Sequence, residues 1–213
     1  MEQAIQVEHV IKQFKEAEVL KDITVSFEKG KIHGLIGRNG SGKTVLMKCI
    51  CGFMKPTSGS ITVGGKQVGK DVDIPQNLGA IIEAPGFLPG YSGFKNLKLL
   101  ADIRRKAGTA EITAAMKRVG LDPKSKKHVS KYSLGMRQRL GIAQAIMENP
   151  DILILDEPMN GLDNHGVDDI RALLVELKKE GKTIIITSHS AEDIAVLCDT
   201  VHEMDAGVLQ AVR

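Results

Sequence analysis

Three β-branched runs, Ile5–Val10, Ile23–Phe27 and Ile61–Val63, occupy the first third of the chain, and Lys29-Gly30 and Gly64-Gly65 punctuate them as turns. They predict a small antiparallel β lobe. Ile32–Ile36 is a continuous apolar run of the kind a buried strand shows; it ends in a glycine-rich loop, and Thr44–Cys51 follows as a helix. Between Pro85 and Ser130 the pattern changes. Phe94–Arg105 and Ala110–Val119 favour helix, and the stretches that link them carry glycine, proline and lysine. Met136, Leu140, Ala143 and Met147 recur at helical spacing, as do Ile170, Leu173, Leu174 and Leu177, so both helices have one face to bury. Short apolar strands at Ile152–Leu155, Thr183–Thr187 and Thr200–Met204 alternate with them. That alternation predicts an α/β class with a mostly parallel sheet and an inserted helical subdomain. We expect one domain over residues 1–213, with 1–84 and 151–213 forming the β lobe and core and about 85–150 the helical subdomain.

Composition narrows the class without naming a function. With 213 residues and 42% hydrophobic content the chain can bury a substantial core. Its 29 basic and 26 acidic side chains leave a net charge of +3, which demands neither nucleic acid nor an acidic partner. Cys49, Cys51 and Cys198 are odd in number, and the first two are too close on a helix to bridge, which fits a reducing, cytosolic compartment. A membrane span needs roughly 20 apolar residues, whereas the apolar runs here are as short as Ile152-Leu153-Ile154-Leu155. Met1 to Gln6 has no signal-peptide character, so a membrane role is expected to come through another subunit.

Chemistry concentrates in two places. Gly37-Arg38-Asn39-Gly40-Ser41-Gly42-Lys43-Thr44 matches the phosphate-binding loop, and it lies between a strand and a helix, where that loop works. Its glycines let backbone N–H groups curl around a polyphosphate, the helix N-terminus adds positive potential, Lys43 reaches the outer phosphates and Thr44 offers a hydroxyl to Mg²⁺. Further on, the apolar strand Ile152–Leu155 ends in Asp156-Glu157, which puts two carboxylates at the strand end where open α/β sheets bind ligands. Alone, such a pair is often just a solvated strand end. Beside a phosphate loop, Asp156 is expected to hold Mg²⁺ and Glu157 to polarise the attacking water as general base.

Tyr132-Ser133-Leu134-Gly135-Met136-Arg137-Gln138-Arg139 resembles the signature sequence of ATP-binding cassette proteins. The resemblance covers nearly the whole chain. It implies a phosphate-loop NTPase core that binds ATP and Mg²⁺, and it gives roles to further residues. Ser133 and Gly135 would touch the γ-phosphate held by a second subunit, a plain helix cap being the lesser reading of Ser133. Phe14 falls where an aromatic stacks on adenine, although core packing is an equal reading. Asn160-Gly161-Leu162-Asp163 matches the loop that crosses between subunits, and His189 the switch histidine that holds the γ-phosphate and Glu157. His9, His33, His128, His165 and His202 keep a surface or packing reading. Tyr132, Leu134 and Met136 replace the usual leucine, glycine and glutamine of the signature, which reduces its polar contacts. Glu83 stands where most members have glutamine, and as a carboxylate it would join Thr44 and Asp156 as a metal residue.

Glu83 and the Pro85-Gly86-Phe87 after it are similar to exporters of bacitracin-type and lantibiotic peptides; neutral drift explains this loop equally well. Because the signature faces away from its own phosphate loop in this family, the resemblance implies a head-to-tail dimer closed by ATP. It also implies a transmembrane permease near Phe87 and Leu88, which would hold the chain at the inner face of the cell membrane. No C-terminal regulatory domain is expected after Gly207, and with Glu83 this favours export. A soluble cassette acting on ribosomes or DNA is the rival. Arg104-Arg105-Lys106 and Lys124-Ser125-Lys126-Lys127 are too short for a nucleic-acid stripe, so no nucleic acid is expected. Binding without hydrolysis is disfavoured by Glu157 and His189.

Overall fold

The computed structural model describes residues 2–15 and 17–213. Two strands of twelve residues, β1 (Gln3–Phe14) and β2 (Ala17–Glu28), form a long antiparallel hairpin, and β4 (Ser58–Val63) and the short β5 (Lys66–Gln67) extend it into a four-stranded sheet ordered β2-β1-β4-β5. Every pairing in it is antiparallel. Its inner face carries Ile5, Val7, Val10, Ile23, Val25 and Phe27, all buried, while the intervening residues are mostly exposed, the alternation of a sheet covered on one side.

The second sheet has six strands in the order β10-β9-β3-β8-β7-β6, built from β3 (Ile32–Ile36), β6 (Leu78–Ile81), β7 (Ile152–Leu155), β8 (Thr183–Ile186), β9 (Thr200–Asp205) and β10 (Val208–Ala211). All neighbours are parallel except β9 and β10. Strands buried on both faces read as unbroken apolar runs, which is why β7 and β8 show no polar alternation. Their side chains still divide by period two. Ile154 and Ile185 join Leu35, α1 (Lys43–Ile50) and the antiparallel sheet in one core, whereas Leu153, Leu155, Ile184 and Ile186 join the helices of the opposite face in another.

That opposite face is covered by α4 (Leu134–Ile146), α5 (Asn164–Lys179) and α6 (Ala191–Leu197), with α2 (Gly93–Arg104) and α3 (Thr109–Arg118) packed outside α4. Helix α4 lies so close to β6 that a Cβ on Gly79 would sit 2.0 Å from the Ala145 carbonyl oxygen; only glycine fits there. Cys49, Cys51 and Cys198 are all buried and unbridged.

Most predicted elements recur near their expected limits, but β1 runs four residues past Val10 and β2 begins six before Ile23. Strands β3 and β7 keep their expected limits, and α1, α2 and α3 each begin and end one residue earlier than expected. Among the strands and α-helices, four carry no clear pattern in the sequence: the two-residue β5, β6, the seven-residue α6 and the terminal β10.

Candidate functional site

Strands β3, β7 and β8 run parallel and adjacent to one another, so their carboxyl ends open at one edge of the sheet, and the loops that follow them meet there. The loop after β3 is the glycine-rich segment. Gly37 has φ 138°, and a Cβ on it would be 2.1 Å from the Met204 carbonyl oxygen, so the tight turn into the loop requires glycine. Gly42, at φ 114°, is the N-cap of α1, and this left-handed residue lets the helix start immediately behind the loop. Lys43 is buried, and its Nζ donates to the carbonyls of Gly37 (2.6 Å) and Arg38 (3.0 Å), which arches the side chain back over its own loop.

The loop after β7 brings the two carboxylates. The Asp156 backbone N–H continues the sheet by donating to Ile81 (2.8 Å), while its side chain accepts from two hydroxyls, Thr187 Oγ1 at 2.7 Å and Thr44 Oγ1 at 3.4 Å. Glu157 then leaves the strand with φ 49°, a left-handed conformation that a non-glycine residue adopts only when held. Its N–H donates to Thr187 Oγ1 (2.8 Å), and its carbonyl accepts from the Asn160 N–H (3.0 Å) and Gln138 Nε2 (3.1 Å). The loop after β8 supplies His189, whose Nε2 lies 3.4 Å from Glu157 Oε1. Behind it, Arg171 of α5 donates twice to Asp193 Oδ1 (2.8 and 2.6 Å), and Asp193 Oδ2 accepts from Ser188 Oγ (2.8 Å), so the His189 loop is tied to α5.

One cleft is therefore lined by Asn39, Gly40, Gly42, Lys43, Thr44, Asp156, Glu157 and His189. Val19 and Val45 complete its wall. A polyphosphate suits this lining, since it offers a buried cation and a helix N-terminus; Gly37 and Ser41 of the same loop are not part of the lining, and Ser41 Oγ is buried without a hydrogen-bond partner. A small divalent cation also fits. Thr44 Oγ1 and Asp156 Oδ2 are two hard oxygen donors side by side, and Mg²⁺ takes its remaining ligands from water and phosphate rather than from a protein cage. No group of three or more His, Cys, Asp or Glu side chains is gathered for a metal among the described residues.

Other predicted site residues lie apart. Ser133 caps α4, its Oγ accepting from the Met136 N–H (3.1 Å), and Asp163 caps α5 by accepting from the Gly166 N–H (2.8 Å). Neither they nor Gly135 line the cleft of Lys43. Phe14, at the end of β1, is 42% exposed beneath the Lys12 ammonium and is also absent from that lining. Glu83 is not brought to Thr44: it has φ 61°, and its carboxylate is engaged by Lys48 Nζ at 2.7 Å. Glu83 instead shares a neighbouring cavity with Asp156, Glu157, Arg137 and Gln138. Thr187 and Gln138 were missed as site residues. Thr187 ends a strand as β-branched residues often do, and no local pattern marks a hydroxyl whose partners are 30 and 31 residues away.

The chain belongs to the ABC transporter family: residues 20–160 match the family described by that name. It is 50% identical, over 97% of its length and 94% of the relative's, to an uncharacterized ABC transporter ATP-binding protein of Bacillus subtilis, YybJ. It is 42% identical to the bacitracin transport ATP-binding protein BcrA of Enterococcus faecalis, over 98% of this chain and 68% of that protein. In fold it is similar to the ATP-binding cassette MJ0796, solved as a dimer bound to ADP and Pi, with a TM-score of 0.87 over 98% of this chain and 99% of that one at 20% identity.

Proposed function

We propose that this chain hydrolyses ATP in a head-to-tail dimer and thereby powers a membrane permease that exports a peptide antibiotic or a similar amphipathic compound. The observation that carries this reading is the division of the site: Lys43, Thr44, Asp156, Glu157 and His189 line one cleft, while Ser133, Gly135 and Asp163 lie outside it. A second chain, turned end for end, would bring the missing half to the same nucleotide. Lys43 and the loop amides would hold the phosphates of ATP, and Thr44 and Asp156 would hold Mg²⁺, which when bound neutralises charge on the phosphate oxygens. Thr187 fixes the Asp156 carboxylate through its hydroxyl. Glu157 would take a proton from the attacking water, with His189 keeping its carboxylate in line. The partner's signature, led by its own Ser133 and Gly135, would close on the γ-phosphate, and loss of that phosphate would let the two chains part.

Phe14 is reserved for the adenine, where its exposed ring can stack, and Glu83 for the metal only if Lys48 releases it. For the permease, the favoured surface is the groove lined by Phe53, Ile74, Leu100 and Ile103, with Arg104 and Lys106 on its rim. These four apolar side chains are exposed, whereas Phe87 packs against the core and of that pair only Leu88 is open. No helix among the described residues is long and apolar enough to cross a membrane, so attachment at the inner face of the membrane would run through this groove. The bacitracin relative favours export, and the mild net charge gives no support to a ribosome or DNA substrate.

The test is Glu157→Gln, which keeps the shape and removes the base. Turnover is expected to fall by roughly 10²–10⁴-fold with ATP still bound, and light scattering should show the variant dimerising on addition of Mg-ATP. Near-normal turnover removes Glu157 from its role, and a monomer with ATP bound removes the shared site.

A further inference from the structure

Helix α4 does two things at once. Its first turn presents Ser133 and Gly135, and about 140° around the axis from Ser133, at 100° per residue, Gln138 turns inward. Gln138 is 9% exposed, and its Nε2 donates to the carbonyl of Glu157 at 3.1 Å. The orientation of the amide follows from its partner, since a carbonyl oxygen can only accept. Glu157 is the residue in the cleft whose backbone is forced left-handed, at φ 49°. Its two hydrogen bonds from other elements come from opposite sides: Thr187 at the end of β8 takes the N–H, and Gln138 on α4 holds the carbonyl. The third, from Asn160, belongs to the turn itself and moves with it.

From this we infer that Gln138 is a positioning residue for hydrolysis, linking the helix that carries the signature to the peptide of the general base in the same chain. The inference rests on the proposed roles of Glu157 and of the signature. The C-terminal half of α4 is pinned where Ala145 lies on Gly79, so a pull on Ser133 at the opposite end, where Gly135 packs on Gly161, acts across the turn that holds Gln138. In a head-to-tail dimer the nucleotide touching Ser133 is bound by the partner chain, while the Glu157 held by Gln138 serves this chain's own nucleotide. Gln138 thus makes the readiness of one site depend on the occupancy of the other. Its effect belongs in the rate of hydrolysis, because it touches neither Lys43 nor the loop amides that bind ATP.

The experiment is a double-mutant cycle on the full chain, read as kcat and KM for ATP. Gln138→Met keeps the length and removes the donor; we expect kcat to fall about 10-fold or more with KM changed by less than about twofold. In the Glu157→Gln background the same substitution should change the residual turnover by less than about twofold, because the group it positions is already gone. An unchanged kcat in Gln138→Met overturns the inference, as does an equal loss in both backgrounds, which marks a general structural role. Should the methionine variant not fold, Gln138→Asn, which keeps the amide and withdraws it by one methylene, carries the same expectation. Near-normal turnover of Glu157→Gln alone defeats the base assignment and this inference with it, whereas a large loss there beside an unaffected Gln138→Met defeats the coupling alone.

Discussion

His33 shows how much a single buried polar group constrains. Its Nε2 lies 2.9 Å from the Glu28 carbonyl, which can only accept, so Nε2 carries the proton and Nδ1 accepts from Thr200 Oγ1 at 2.7 Å. The neutral ring is thereby fully used, with the Phe27 edge packed beside it at 5.2 Å. Burial pushes His33 below the ordinary histidine value of 6.5, and burial does the same to His202, whose ring also meets Phe27. Both imidazoles bind protons more readily in the unfolded chain. Stability from this source is therefore complete above about pH 6.5 and is lost as the pH falls below it toward the depressed folded values, by at most about 1.4 kcal/mol per pH unit for each ring. Thermal midpoints recorded from pH 7.5 to 5.5 should decline, and His33→Asn should flatten that decline. A midpoint independent of pH across this range would contradict the argument. Here the sequence allowed only a surface or packing role, because burial of a histidine is decided by strands far from it in the chain.

At the scale of elements, the tie between α5, α6 and the His189 loop is the most consequential contact outside the cleft. Asp193 is almost wholly buried, and its charge is met by two donors from Arg171 and one from Ser188. Removing the cation leaves a carboxylate out of water with a single hydroxyl partner. Arg171→Met should therefore cost roughly 2–3 kcal/mol, somewhat below a fully enclosed pair because the outer edge of Arg171 reaches solvent, and lower the thermal midpoint by roughly 5–10 °C. A melt within 2 °C or so of the parent would refute this. The elements themselves were legible in proportion to how locally they are specified. Strand β7 and helix α5 announce themselves by an unbroken apolar run and by a clean 3.6-residue stripe. Strand β6 does not, since Leu-Gly-Ala-Ile has little strand preference, and its glycine is there for the approach of α4. The cleft was legible for the same reason as β7: loop and carboxylates are contiguous motifs. Thr187 and Gln138 support its Glu157 peptide across 30 and 19 residues of chain, and no local pattern marks that role.

Over the whole molecule, the proposed chemistry and the proposed attachment occupy different surfaces. The cleft proposed for the nucleotide gathers Lys43, Asp156, Glu157 and His189 at the carboxyl ends of the parallel strands, whereas the groove of Phe53, Ile74, Leu100 and Ile103 is lined by apolar side chains left uncovered. Ile103 is 77% exposed, one helical turn from Leu100, and an aliphatic pair so placed on α2 is built to be covered. Ile103→Glu should weaken co-purification with the permease by at least about tenfold, as expected for a charge buried without a partner, while the ATPase rate of the isolated chain stays within about twofold. Equal recovery of parent and variant with the permease would take the groove out of consideration. A quieter consequence lies in the sulfur chemistry. Burial pushes the thiols of Cys49, Cys51 and Cys198 up to about 11, 12 and 12. At neutral pH almost no thiolate exists for a maleimide or a mild oxidant to attack. The native chain can thus be handled without reductant, and a spectroscopic probe attached through one added surface cysteine would report from that position alone.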